Sequence, residues 1–243
     1  SRRRHTRYIS VTGVQTCALP ILTYHEIHRA IHIKEFFTKE EYDEMWFELS
    51  NLCNDEMLSN SEKSGGARNA RGELLRFNRG LFIDSVMSDS CIIKYMNKLF
   101  EKETFEELMN YNQNYGVLQN NKIHQSNLIN HYMGGHSYNF HKDNALLTAI
   151  TVFHKTPKPY SGGVLTFREN NSILEVELEP RDLVIFGSVT DHAVSPIVLN
   201  EDVKSKMCFS DEGLVYQKAQ DIMNGRISVS KFIGQQHPQP RRY

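Results

Sequence analysis

The chain has 243 residues, with 28 Lys and Arg against 29 Asp and Glu, for a formal net charge of -1. A balance this close to neutral gives no general attraction to nucleic acid or acidic membranes. Of four cysteines, Cys53, Cys91 and Cys208 lie far apart and make no C-x-x-C pair, which excludes a disulfide framework and a thiolate zinc site. A reducing compartment, and a cytoplasmic location, are expected.

Residues 11–21 read VTGVQTCALPI, a string that one frame of a common sequencing-adapter oligonucleotide encodes. Residues 1–21 are therefore set aside as non-native. Their apolar run is too short for a secretory signal or a membrane span. About 220 residues remain, enough for one large domain with a substantial core.

Residues 22–122 are expected to form a helical support region of that domain. Residues 31–37 alternate weakly, and Thr38 with Glu41 then makes a capping box. Tyr42, Met45, Trp46, Leu49 and Leu52 follow at helical spacing, giving one apolar face. The stretch SNSEKSGGARNARGE has no apolar period and reads as a solvated loop. Its sharper reading is a mobile lid, with Arg68 and Arg71 reaching substrate and Lys63, Arg76 and Arg79 adding positive field. Further helices are expected over residues 88–100 and 104–111.

From residue 123 short runs rich in Val, Ile, Thr, Phe and Leu alternate with turn residues. Strands are expected over 145–153, 164–167, 172–179, 182–186, 193–199 and 203–209. In the third, Leu174, Val176 and Leu178 share one face and three glutamates the other. Many short strands at regular spacing indicate an α+β, mainly β fold. Its core is expected to be a double-stranded β-helix, or jelly roll, over 123–212. Residues 213–243 are expected to be a polar C-terminal extension with a disordered end.

Among the 11 histidines, His25 and His28 in YHEIH miss the H-E-x-x-H spacing that would place two ligands one helical turn apart. His141 and Asp143 differ from the rest. They are two apart in Y-N-F-H-K-D, and in an extended chain residues i and i+2 point to the same side. A third ligand on a later strand, His192 in D-H-A-V-S-P, would complete a facial two-His-one-carboxylate set, leaving adjacent positions open on iron. A cupin, with H-x-H and a Glu, does not fit this pattern.

The stretch from about residue 130 to 210 resembles the core of the prolyl-4-hydroxylase-like 2-oxoglutarate/Fe(II) oxygenases. The matching residues are Tyr132, Gly134, Gly135 and Tyr138 before His141 and Asp143; then Gly162, Gly163, Leu165 and Phe167; then Pro180 and Phe186; then His192, Val194 and Pro196. The resemblance implies Fe(II) on His141, Asp143 and His192, with 2-oxoglutarate as co-substrate and ascorbate as an optional reductant. It also implies a basic residue on the strand after the distal His that pairs with the far carboxylate of 2-oxoglutarate. Lys204 is the favoured candidate and Lys206 its rival. Tyr132 would hydrogen-bond the co-substrate or simply pack in the barrel. The implied activity is hydroxylation of a prolyl or other amino-acid side chain on a protein. The alternatives are an oxygenase acting on a small molecule and a non-catalytic jelly-roll binding module with a degenerate site. Neither a nucleic-acid nor a membrane partner is expected.

Overall fold

A computed structural model of the chain describes residues 21–204, 207–210, 213–216 and 219–234. Residues 1–20, the end of the chain from 235 and Lys206 lie outside the described residues.

Strands β1 (Leu22–His25) and β2 (Ala30–Ile33) form a hairpin. Helix α1 (Lys39–Leu52) starts where the capping box places it. Thr38 Oγ1 accepts from the Glu41 N–H, and the Glu41 carboxylate accepts from the Thr38 N–H. A cap of this kind contributes about 1 kcal/mol. Met45, Leu49 and Leu52 form its buried face. Strands β3 (Ser59–Asn60), β4 (Arg76–Phe77) and β5 (Arg79–Phe82) bracket the Gly-rich stretch. Helix α2 (Cys91–Met96), capped by Ser90, continues as a 3-10 turn to Phe100, and α3 (Lys102–Tyr111) follows.

The strand-rich part begins with β6 (Gln125–Tyr132), β7 (Ser137–His141), β8 (Leu147–Phe153) and β9 (Tyr160–Gly162). Next come β10 (Leu165–Glu169), β11 (Ser172–Val176), β12 (Leu183–Gly187), β13 (Asp191–Val194) and β14 (Ile197–Leu199). A short helix α4 (Glu201–Lys204), the pair β15 (Met207–Ser210) and β16 (Gly213–Tyr216), and β17 (Arg226–Ile233) complete the chain.

Eight strands form one antiparallel sheet in the order β1-β2-β12-β8-β17-β6-β5-β3, and five form a second in the order β11-β10-β13-β7-β4. Both faces of the large sheet are covered, and the period of two along each strand sorts its side chains. On β12, Leu183 and Ile185 join the helices in one core, while Val184 and Phe186 meet the small sheet in another. On β8, Ala149 and Phe153 face the helices, while Ile150 and Val152 face the small sheet. Burial on both faces is why these strands read as unbroken apolar runs. This two-sheet sandwich with helices packed behind it is the expected jelly roll. Among the described residues, no helix is long and apolar enough to cross a membrane.

The expected boundaries need three corrections. Residues 22–122 are not only helical, since β1, β2, β3 and β5 belong to the large sheet. The core does not end at 212, because β17 lies in the middle of that sheet, paired with β6 on one side and β8 on the other. Its alternation is disguised because Arg226, Ser228 and Ser230 face an internal cavity rather than an apolar core. The expected strand over 203–209 is divided. The Asn200 carbonyl accepts from the N–H groups of Val203 and Lys204, closing a helical turn, and only β15 remains extended, pairing with β16 alone.

Lys231 interrupts the helix-facing side of β17. It is fully buried, and its ammonium donates to Asn97 Oδ1 (2.8 Å) and Asn127 Oδ1 (3.4 Å). Burial pulls its pKa down from the usual lysine value to about 8, against the opposing charge of Asp84. The unfolded chain keeps the ordinary lysine value. Between the two values the unfolded state therefore binds more protons, and stability rises with pH. The stability of Lys231→Met relative to the parent is expected to fall by about 3 kcal/mol between pH 7 and 10.5. Urea unfolding across that range checks it, and a difference independent of pH would count against it.

Candidate metal centre and its cavity

His141 ends β7 and His192 is the second residue of β13, and the two are direct cross-strand partners. Partners on one face of an antiparallel pair lie close, so their rings meet, with centroids 4.2 Å apart. Asp143 stands just beyond the end of β7. Its N–H donates to the Ser188 carbonyl (3.0 Å), and its Oδ2 accepts from the Thr148 hydroxyl (2.7 Å). This anchoring brings Oδ1 to 3.5 Å from His141 Nε2 and Oδ2 to 3.4 Å from His192 Nε2. One ligand atom from each of the three residues lies within 4.8 Å of the other two.

The tautomers follow from the second ring nitrogens. His141 Nδ1 lies 2.8 Å from the Asn139 carbonyl, and His192 Nδ1 lies 3.0 Å from the Thr190 carbonyl. A carbonyl can only accept, so each Nδ1 carries a proton, which leaves each Nε2 as the ring atom turned toward Asp143. Tyr138 stacks flat on the His141 ring at 3.5 Å, and Phe186 packs edge-on against His192 at 4.8 Å. Burial opposes a charge on Asp143, but His192, His141 and Thr148 outweigh it and hold the carboxyl below the usual range. Burial also lowers the pKa of His192, against the pull of Asp143, which favours the neutral imidazole. Two imidazoles and one carboxylate, oriented by backbone carbonyls and open on one side, fit a divalent iron with adjacent free positions.

The open side is a cavity of about 280 Å³. That is the small end of the range for ligand pockets. Tyr132 and Arg226 line it with the three candidate ligands. Arg226 opens β17 directly opposite Tyr132 in the sheet, and its guanidinium lies 5.1 Å from the Tyr132 ring centroid. It is 2% exposed and donates to Ser228 Oγ at 3.1 Å. Among the described residues, no carboxylate pairs with it. The Gly162-Gly163 turn makes room for it: Gly163 has φ +69, and a Cβ there would fall 2.6 Å from Arg226 Cδ.

No family model matches the chain. Over 142 residues it is 25% identical to a PKHD-type hydroxylase of Pseudomonas aeruginosa, covering 48% of this chain and 62% of that protein. Over 90 residues it is 32% identical to a PKHD-type hydroxylase of Methylobacillus flagellatus, covering 32% and 40%. The chain thus spans less than two thirds of the length of these relatives. A solved prolyl-4-hydroxylase of Pseudomonas putida shares its fold with TM-score 0.50 and 14% identity, over 85% of this chain and 92% of that one. So does a prolyl hydroxylase of Trichoplax adhaerens, solved with a peptide of the hypoxia-inducible factor oxygen degradation domain. There the TM-score is 0.51 at 15% identity, over 84% and 82%. In sequence the chain is similar to PKHD-type hydroxylases, and in fold it is similar to these two prolyl hydroxylases.

In this prolyl-4-hydroxylase-like fold the expected site residues are only partly brought together. His141, Asp143, His192 and Tyr132 all reach the cavity. Lys204 does not. It lies in α4, half-exposed, paired with Glu201 across one helical turn. Arg68 and Arg71 are exposed on the outside of the Gly-rich loop, with Arg68 donating to the Gly72 carbonyl. The loop instead offers the cavity Gly65 and Ala67, followed by Arg76 on β4. Two buried guanidinium groups, on Arg226 and Arg76, therefore line the cavity; the sequence pointed to Arg76 only as part of the loop's positive field and not to Arg226 at all. The signal for Arg226 was the alternation in R-I-S-V-S-K-F-I; for Arg76 there was only its basic type.

Proposed function

We propose that the protein is an Fe(II)- and 2-oxoglutarate-dependent dioxygenase that hydroxylates an unactivated C–H bond. The substrate we propose is a prolyl or other amino-acid side chain of a protein or peptide, and the co-products are succinate and CO2. The observation that carries this reading is the meeting, in one small cavity, of a His-Asp-His donor set with a buried arginine that has no carboxylate partner among the described residues.

In this reading His141, Asp143 and His192 hold the metal. Fe(II) bound there would supply oxygen activation coupled to oxidative decarboxylation of 2-oxoglutarate. Arg226 replaces Lys204 and Lys206 as the anchor for the far carboxylate of 2-oxoglutarate, since a planar fork in a dry site suits a carboxylate. Tyr132, opposite Arg226, offers its hydroxyl to the same co-substrate. Tyr138 fixes the His141 ring, and its hydroxyl accepts from the Ala67 N–H at 3.2 Å, which ties the Gly-rich loop to the metal side. Ile150 and Val194 line the cavity with apolar surface and help exclude water. A cavity near 280 Å³ suits one inserted side chain or a small molecule. The names of the relatives favour the hydroxylase reading, and the peptide bound by the Trichoplax enzyme favours a peptide substrate. The free thiols Cys53 and Cys91 accord with the reducing cytoplasm we propose as its location.

The test needs no substrate. Protein loaded with Fe(II) without oxygen is mixed with 2-oxoglutarate and scanned for the visible charge-transfer band of a chelated 2-oxo acid. A band, followed by 2-oxoglutarate-dependent oxygen uptake when air is admitted, supports the oxygenase reading. A folded, metal-loaded protein with no band would replace it with the non-catalytic binding module.

A further inference from the structure

Arg76 is the second buried arginine of the cavity, 2% exposed, at the start of β4. Its neighbours are neutral. Nε donates to Asn78 Oδ1, Nη2 to Ser64 Oγ at 2.6 Å, and Nη1 to the Ser64 carbonyl at a long 3.4 Å. Among the described residues, no carboxylate pairs with it. A guanidinium has five N–H groups, so these contacts leave part of its fork unused. Space for the group is built in, because a Cβ on Gly80 would collide with Arg76 Nη2. Burial makes the charge costly, lowering the Arg76 pKa, with only Tyr132 and Tyr138 opposing. A buried cation without a counter-ion is normally avoided.

The charge balance of the loaded site sharpens the point, and it rests on the oxygenase reading above. The charges of Fe(II) and the 2-oxoglutarate dianion cancel. Asp143 and Arg226 cancel as well. The remaining cation on the lining, Lys142, has an exposed side chain. Among the described residues that line the cavity, Arg76 is left as the buried charge without an opposite. We propose that Arg76 is a specificity-determining residue and that the substrate carries an anionic group, a carboxylate, which its guanidinium receives. The hydrogen bonds to Ser64 and Asn78 then hold the fork in place, so that binding need not order it.

The test separates this idea from the reading beneath it. Mn(II) replaces iron, so that 2-oxoglutarate binds without turnover. The protein is first titrated with 2-oxoglutarate. Failure to bind at that stage overturns the oxygenase reading. With 2-oxoglutarate saturating, ligand-observed NMR then measures N-acetylglycine and its neutral isostere N-acetylglycinamide. The carboxylate is expected to bind about tenfold tighter than the amide, as a charge-assisted pair implies. Arg76→Gln is expected to bring the two within about threefold of each other while leaving 2-oxoglutarate affinity unchanged within the same margin. Equal binding of acid and amide by the parent overturns the proposal, whatever the variant does. So does a preference that survives Arg76→Gln, or displacement of 2-oxoglutarate by N-acetylglycine, which would place the anion on Arg226.

Discussion

His192→Ala is expected to lose metal-dependent stabilisation altogether. A metal that binds only the folded chain stabilises it by about 2.7 kcal/mol at one hundred times its dissociation constant. The parent should therefore unfold at a higher temperature with excess Mn(II) than without it, and the variant should not. Losing an outer-shell partner of a ligand already costs about 10–100-fold in metal affinity, so losing the ligand itself should cost at least that much. The charge-transfer band and 2-oxoglutarate-dependent oxygen uptake should vanish with it. The reason is local. His192 brings its Nε2 to 3.4 Å from Asp143, and the strand register that sets it opposite His141 offers no second donor. A variant that keeps the metal-induced shift would mean that His192 is a packing residue beneath Phe186, and the centre would have to be assigned elsewhere.

Arg226→Gln is expected to weaken 2-oxoglutarate by about 100-fold and to leave metal binding intact. Removing one partner of a buried, hydrogen-bonded charge pair costs about 2–5 kcal/mol, and 100-fold lies within that interval. Arg226→Lys should recover part of the loss, because an ammonium keeps the charge but not the two-pronged geometry. Lys204→Ala should change nothing, since the Lys204 ammonium is spent on Glu201 at the surface. Titration of the charge-transfer band with 2-oxoglutarate reads all three. The assignment falls if Lys204→Ala, rather than Arg226→Gln, raises the concentration needed.

The contrast between these residues explains what the sequence could and could not disclose. His141 and Asp143 were legible because two residues of extended chain fix their separation, whatever surrounds them. His192 was legible because G-G-x-L-x-F and D-H-x-V-x-P are short segments of two paired strands, with Phe167 lying directly across from His192. The proposed anchor, Arg226, had no such ruler. Its distance from the distal His depends on the connection between strands, and here that connection holds β14, α4, β15 and β16. A basic residue sought just after His192 led to Lys204, which lies in α4 away from the cavity, whereas the proposed anchor is Arg226 on β17. Lys231 added to the disguise by setting a charge on the apolar side of β17, so that the run looked polar on both faces. The Gly-rich loop was legible as a loop, but which of its arginines turned inward was not. Side-chain direction there is set by the contacts of Arg76 with Ser64 and Asn78, not by any periodicity.

The place of β17 in the large sheet also bears on how the chain is made. Its neighbours β6 and β8 are complete once residue 153 has been synthesised, yet the strand that joins them ends at residue 233. Until then both carry unpaired backbone edges. Exposed edges of this kind invite pairing with other chains. A ribosome adding about 5–20 residues per second leaves them open for several seconds. The nascent protein therefore passes through a stage in which its two longest edges are bare and the cavity lacks a wall. Slow release or early termination in that window would yield a sticky chain rather than a merely less stable one.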